Sequence, residues 1–133
     1  MTMICAFFGV SYSQKTDTVY NVGKDRDGDT WYLDTDLVVR PQPPADWLRI
    51  MPIYTTLDAR TLIFLFNVDC SDNTYQLVKA FSLDRRGNKI WERDERGRWS
   101  PFTGYSGNAA RIVCRTNAGK QLPVTNGVIS ERR

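Results

Sequence analysis

Thr61-Leu-Ile-Phe-Leu-Phe-Asn-Val-Asp-Cys70, the turn-forming Ser71-Asp-Asn-Thr74 and the return arm Tyr75-Gln-Leu-Val-Lys-Ala-Phe-Ser-Leu83 decide how this chain folds. The first segment is the most apolar of the sequence, short for a helix and rich in branched and aromatic residues. It reads as a central strand. In the return arm Tyr75, Leu77, Phe81 and Leu83 share one parity, as a half-buried strand requires. A second turn, Asp84-Arg-Arg-Gly-Asn88, leads into Lys89-Ile-Trp-Glu-Arg93, so the stretch predicts a meander.

The pattern extends toward the N-terminus. Thr18–Val22 and Thr30–Asp34 read as strands, with Gly23 ending the first and Asp27-Gly28 supplying the turn. Leu37–Arg40 is a short extended piece, and Pro41-Gln-Pro-Pro44 blocks helix and ladder alike. Trp47–Tyr54 resumes as a strand whose Pro52 points to an edge or a bulge. Downstream, Ser106 is positioned to cap one helix. Its Ala109, Ile112 and Val113 fall on one face, and Asn117 or Gly119 would end it. The expected fold class is mainly β (α+β): one antiparallel sheet of about six strands in meander order, with one short C-terminal helix packed on it.

The 133 residues hold one domain and contain no apolar run long enough to span a membrane. Met1–Ser13 reads as the remnant of an export signal, because Ser11 and Ser13 fit small-x-small cleavage. An edge strand is the competing reading of that stretch. Residues 14–119 are expected to form the β-rich domain and residues 120–133 a flexible basic tail. The net charge of +3 hides an asymmetry. Residues 1–84 carry 7 basic and 11 acidic side chains, whereas residues 85–133 carry 11 basic and 4 acidic.

The chain has no histidine, which removes the usual general base at neutral pH and the commonest neutral metal ligand. Three cysteines remain to be placed: Cys5, Cys70 and Cys114. If Cys5 leaves with an export signal, Cys70 and Cys114 suit one disulfide stapling the helix to the sheet. Closing that loop would contribute roughly 4 kcal/mol on the chain-entropy estimate. Two buried free thiols in a cytosolic protein are the alternative.

Two segments invite a chemical reading. Asp25-Arg-Asp27-Gly-Asp29 presents alternating carboxylates, but an EF-hand would need Gly where Thr30 stands and Glu where Asp36 stands. The expectation is a solvated turn with no metal. Asp34/Asp36 and Asp94/Glu95 are further paired acids, and nothing in the sequence suggests an acid–base role for them, so neither an enzyme nor a cofactor is expected. Arg85, Arg86, Lys89, Trp91, Arg93, Arg96, Arg98 and Trp99 interleave cations with two aromatic faces in a hairpin spanning 85–99. Asp84, Glu92, Asp94 and Glu95 dilute its charge, which disfavours dense phosphate binding.

These residues resemble the surface-adhesin protein E domain of small exported Gram-negative bacterial proteins. The resemblance is carried by Thr30-Trp-Tyr-Leu-Asp-Thr-Asp-Leu37, and by Leu62–Cys70 ending Val-Asp-Cys with Tyr75 five residues on. It is carried also by Trp91 or Trp99, by Ser106-Gly107 and by the helix ending Ile112-Val-Cys114. It implies about six antiparallel strands packed by a C-terminal helix, a periplasmic or cell-surface location and adhesion to host matrix proteins. The proline-rich segment 41–46 departs from the family's short Gly/Asn turn, and Thr-Met-Ile-Cys5 lacks lipobox residues, which speaks against lipid anchoring.

The expectation is therefore an exported module binding a protein or glycan at the cell envelope through residues 85–99, with a homodimer through an edge strand as a further option. The alternative is a cytosolic or phage-derived protein that binds single-stranded nucleic acid with the same hairpin.

Overall fold

A computed structural model of the chain describes residues 18–121. The expected signal remnant Met1–Ser13, with Cys5, lies outside the described residues, as do positions 122–133 of the expected tail. The strands are β1 (Val19–Lys24), β2 (Thr30–Asp34), β3 (Val39–Arg40), β4 (Leu48–Leu57), β5 (Arg60–Asp69), β6 (Thr74–Asp84), β7 (Lys89–Asp94), β8 (Ser100–Pro101) and β9 (Lys120–Gln121). One α-helix among the described residues, α1 (Gly104–Thr116), precedes β9. Six strands in the order β1-β2-β4-β5-β6-β7 form one curled antiparallel sheet, a half-barrel with α1 packed against it. The architecture is the mainly β meander with one helix that the sequence predicts.

The long arms pair as expected. β5 lies between β4 and β6, with Met51↔Phe66↔Leu77 and Ile53↔Phe64↔Ala80 in register. Its apolar run serves both parities: Phe66 and Val68 lie buried in the core, while Ile63 and Leu65 on the other face are half-buried beside their cross-strand neighbours. The covered face holds Val22, Trp31, Leu33, Met51, Ile53, Phe66, Val68 and Tyr75, all buried. Trp31 stacks between Phe64, at 4.7 Å between ring centroids, and Tyr105, at 5.1 Å. Opposite them, Ala109, Ala110 and Val113 of α1 are fully buried, their small size letting the helix approach the sheet closely.

Four attachments hold α1 down. Cys70 at the end of β5 is bonded to Cys114, with sulfurs 2.07 Å apart, as the exported reading expects. Tyr75 places its hydroxyl 2.7 Å from Ser106 Oγ and donates to the Thr103 carbonyl at 3.0 Å. Asn108 Nδ2 donates to Val22 O across 2.9 Å. Gly107 sits against the Phe102 backbone, where an added Cβ would fall 2.6 Å from a carbonyl carbon, so no larger residue fits without displacing the chain.

Several local expectations are corrected. The return arm does not keep one parity: register passes from Leu65↔Lys79 to Phe66↔Leu77, so β6 carries a bulge at Val78. The extra residue turns Phe81 and Leu83 to the outer face and sends Ala80 and Ser82 inward, where both are fully buried. The helix starts before Ser106, because Thr103 is its N-cap residue and Gly107 N–H already bonds Thr103 O. It ends at Asn117 in the left-handed conformation, one of the two stops expected.

Gly23 lies within β1 at an irregularity, not beyond its end, and its missing Cβ admits Tyr105. Of Asp27-Gly28 only Gly28 has a positive φ, 87°. Leu37–Arg40 divides into a 3-10 turn, Thr35–Leu37, and the two-residue β3. Lys120 and Gln121 belong to the sheet and not to the tail, pairing in parallel with Val39 and Arg40. Pro52 stands in an interior strand: β2 pairs with β4 at Ile53 and Tyr54 and β3 at Ile50, leaving the proline in the gap between them.

The path out of α1 depends on a residue that sequence patterning passes over. Arg49 is only 8% exposed, and it donates to the backbone carbonyls of Asp46, Leu48 and Ala118 and to Asn117 Oδ1. Arg40 reaches the same Asn117 oxygen at 3.0 Å. Burial, reinforced by the neighbouring Arg40 cation, pulls the Arg49 pKa below its ordinary value. The carbonyl-rich end of a helix is where such cations are stabilised.

Candidate functional site

Two turns of the same design bracket the chemistry-bearing segments. In Asp25–Asp29, Gly28 N–H bonds Asp25 O, and Asp25 Oδ1 accepts the amides of Asp27 and Asp29. In Asp84–Asn88, Gly87 N–H bonds Asp84 O, and Asp84 Oδ1 accepts the amides of Arg86 and Asn88. An aspartate that holds its own turn and a glycine at positive φ explain both sequences.

Carboxylate oxygens of Asp25, Asp27 and Asp29 lie within 4.8 Å of one another. Asp25 is engaged through both of its oxygens, the second accepting Trp31 Nε1–H at 2.9 Å. That indole bond, helped by the turn amides, lowers the Asp25 pKa from its ordinary value.

The basic–aromatic segment is not a hairpin standing off the sheet. After the turn, β7 runs antiparallel to β6 with Ala80↔Arg93 and Ser82↔Trp91. The chain then stays on the same flank: Glu95 N–H bonds Val78 O, Gly97 N–H bonds Leu77 O, and β8 pairs Ser100 with Tyr75. Residues 85–101 therefore form one continuous outer edge beside β6. Bulge and edge are coupled, since the carbonyls of Leu77 and Val78 are the acceptors that hold Gly97 and Glu95.

This geometry sorts the eight residues singled out by sequence. Lys89 bonds Glu92, which also takes Lys79 at 2.7 Å, and Asp94 lies 3.6 Å from Lys79. Arg93 pairs with Glu95 and lies over the Trp91 ring at 5.6 Å. The middle of the edge is thereby neutralised. Arg85 and Arg86 at one end, and Arg96 and Arg98 at the other, are exposed and have no acidic partner among the described residues. Trp91 is half-buried on the Ala80–Ser82 side, whereas Trp99 is 43% exposed. Their positions along β6 put the two indoles roughly 20 Å apart, too far to form one stacking platform.

No family model, curated protein or solved structure matches this chain. The edge must be judged on its own chemistry. Lys79 and Lys89 hold the Glu92 pKa down from 4.5 to about 2, and the Glu92 hydrogen bond raises Lys79. A depressed carboxylate pKa makes this cluster's contribution present above the ordinary glutamate range and lost as pH falls through about 2. NMR titration of the Glu92 side chain is expected to show its midpoint near 2; a midpoint near 4.5 would contradict the Lys79–Glu92–Lys89 arrangement.

A groove of about 340 Å³, lined by Gln76, Val78, Asp94, Glu95 and Arg96, opens on the edge where the bulge lies. Sequence reading missed it because nothing in the string Gln76-Leu-Val-Lys79 marks the extra residue. Elsewhere, no helix among the described residues is long and apolar enough to cross a membrane.

Proposed function

We propose that this protein is an exported, non-catalytic binding module whose outer sheet edge, residues 85–101, engages a protein partner at the cell envelope. The observation that carries the reading is the pair of unpartnered arginine groups, Arg85/Arg86 and Arg96/Arg98, at the two ends of one open edge. Exposed Trp99 beside the second pair adds an aromatic anchor of the type enriched in protein interfaces. The Cys70–Cys114 bond supports an oxidising compartment, and the adhesin-type resemblance of residues 30–37, 62–75 and 106–114 points the same way.

Glu92, Asp94 and Glu95 lie between the two basic ends and oppose a phosphate backbone laid along the edge. A protein surface can place its carboxylates only where the arginines are. The test uses fluorescein-labelled polyglutamate as a surrogate acidic protein surface, with heparin and oligo-dT alongside. The protein carrying Arg85→Gln, Arg86→Gln, Arg96→Gln and Arg98→Gln should bind polyglutamate at least tenfold more weakly than the parent. Unchanged binding would remove the edge from consideration, and tighter binding to oligo-dT would favour the nucleic-acid alternative.

A further inference from the structure

The direction of the peptide groups along β7 says how a partner meets this edge. Glu95 N–H points inward to Val78 O. Peptide groups alternate sides along a strand, so Arg93 and Trp91 also turn theirs toward β6, while Glu92 and Asp94 turn theirs outward. Among the described residues, nothing pairs with the outer side of β7. The outward backbone donors and acceptors of Glu92 and Asp94 are a template for one more strand.

We propose that the occupant of this template is an extended segment of another protein, carrying carboxylates at both ends and an uncharged middle, that adds to β7 as a further strand. The inference rests on the edge being the binding surface and adds the mode of binding and the chemistry of the partner. Arg85 and Arg86 receive the carboxylates at one end and Arg96 and Arg98 those at the other. The neutralised middle, Lys89 to Glu95, leaves main-chain bonding as the attraction between the ends. The groove between Gln76, Val78 and Asp94 lies beside that path and is large enough for a partner side chain.

A second copy of this chain is the less favoured occupant. Antiparallel self-pairing would bring Arg85/Arg86 of one copy against Arg96/Arg98 of the other, and parallel pairing would oppose identical groups. The same charges that reject self-association select an acid-flanked strand.

The test uses a labelled peptide, Asp-Asp-(Thr-Val)4-Asp-Asp, whose eight-residue middle spans roughly 26 Å when extended. Asp94→Pro removes an outward N–H and a negative charge together, and leaves the inward bonds to β6 in place. On charge alone it should strengthen binding of an acidic peptide; as a block to strand addition it should weaken it. The expected result is at least a tenfold loss for Asp94→Pro, with Asp94→Asn equal to the parent or tighter.

Should the proline variant fold poorly, amide exchange on the parent protein gives the same answer. Peptide binding should slow exchange at Glu92 and Asp94 and leave the already bonded Trp91 and Arg93 unchanged. Equal binding by Asp94→Pro and Asp94→Asn, or no slowing at Glu92 and Asp94, overturns strand addition. The charge-based edge reading then still stands if the four-arginine variant has lost polyglutamate. Concentration-dependent dimers blocked by Asp94→Pro would put a second copy on the edge and overturn the acidic occupant, as would displacement of the peptide by oligo-dT at lower concentration than by polyglutamate.

Discussion

Reduction of the Cys70–Cys114 bond, or replacement of both cysteines by alanine, is expected to lower folding stability by about 4 kcal/mol. The bond closes a loop of 44 residues and removes that much chain entropy from the unfolded state. The loop contains all of β6, β7 and β8, so the restraint acts on the whole outer half of the sheet as well as on α1. Against a typical domain stability of about 5–15 kcal/mol, the loss is a large fraction. Urea unfolding with and without dithiothreitol measures it directly. A midpoint that reduction leaves in place would mean the sulfurs contribute nothing to folding and would weaken the argument for an oxidising compartment.

Trp31→Ala carries the second large effect, a loss of about 3–5 kcal/mol and roughly 15–25 °C in melting temperature. Trp31 is 1% exposed and lies between the rings of Phe64 and Tyr105, so its removal opens a void between sheet and helix. It also strips Asp25 of the indole donor that holds the β1–β2 turn to the core. Trp31→Phe keeps a ring in the stack while losing that donor and part of the stacked area, and its cost should be less than half as large. Thermal unfolding of the two variants separates the contributions. Equal losses would show that the hydrogen bond, and not the stacked area, is what matters at this position.

Much of the fold was legible because the strongest signals are local. The run Thr61–Cys70 is too short for a helix and rich in branched and aromatic residues, which leaves a central strand as its reading. The turns at Asp25 and Asp84 announce themselves by an aspartate three residues before a glycine. The Cys70–Cys114 pairing was expected on the condition that Cys5 leaves with an export signal, and the bond is present, while Cys5 lies outside the described residues.

What escaped the sequence is what depends on distant partners. Val78 looks like any strand residue, and its bulge shows only in how β6 registers against β5, a strand whose pairing residues lie more than ten positions away. Ser106 has the chemistry of a cap but spends its hydroxyl on Tyr75, a residue 31 positions away. The binding segment was identifiable by composition, but its shape was not. Whether residues 95–99 stand away from the sheet or return to it is decided by the Leu77 and Val78 carbonyls, which no periodicity in 85–99 encodes.

The offset at Val78 also bears on how this protein tolerates changes in length. Deleting that one residue would restore strict alternation and leave everything downstream in the strand on its present face, because Leu77 and Lys79 already pair with the adjacent Phe66 and Leu65. Losing Ala80 instead, with the bulge kept, would drive Phe81 and Leu83 into the interior and bring Ser82 to the surface. The strand thus behaves like a reading frame, in which the harm of a lost residue spreads along the message, whereas the loops at Asp25 and Asp84 can gain or lose residues at a purely local expense.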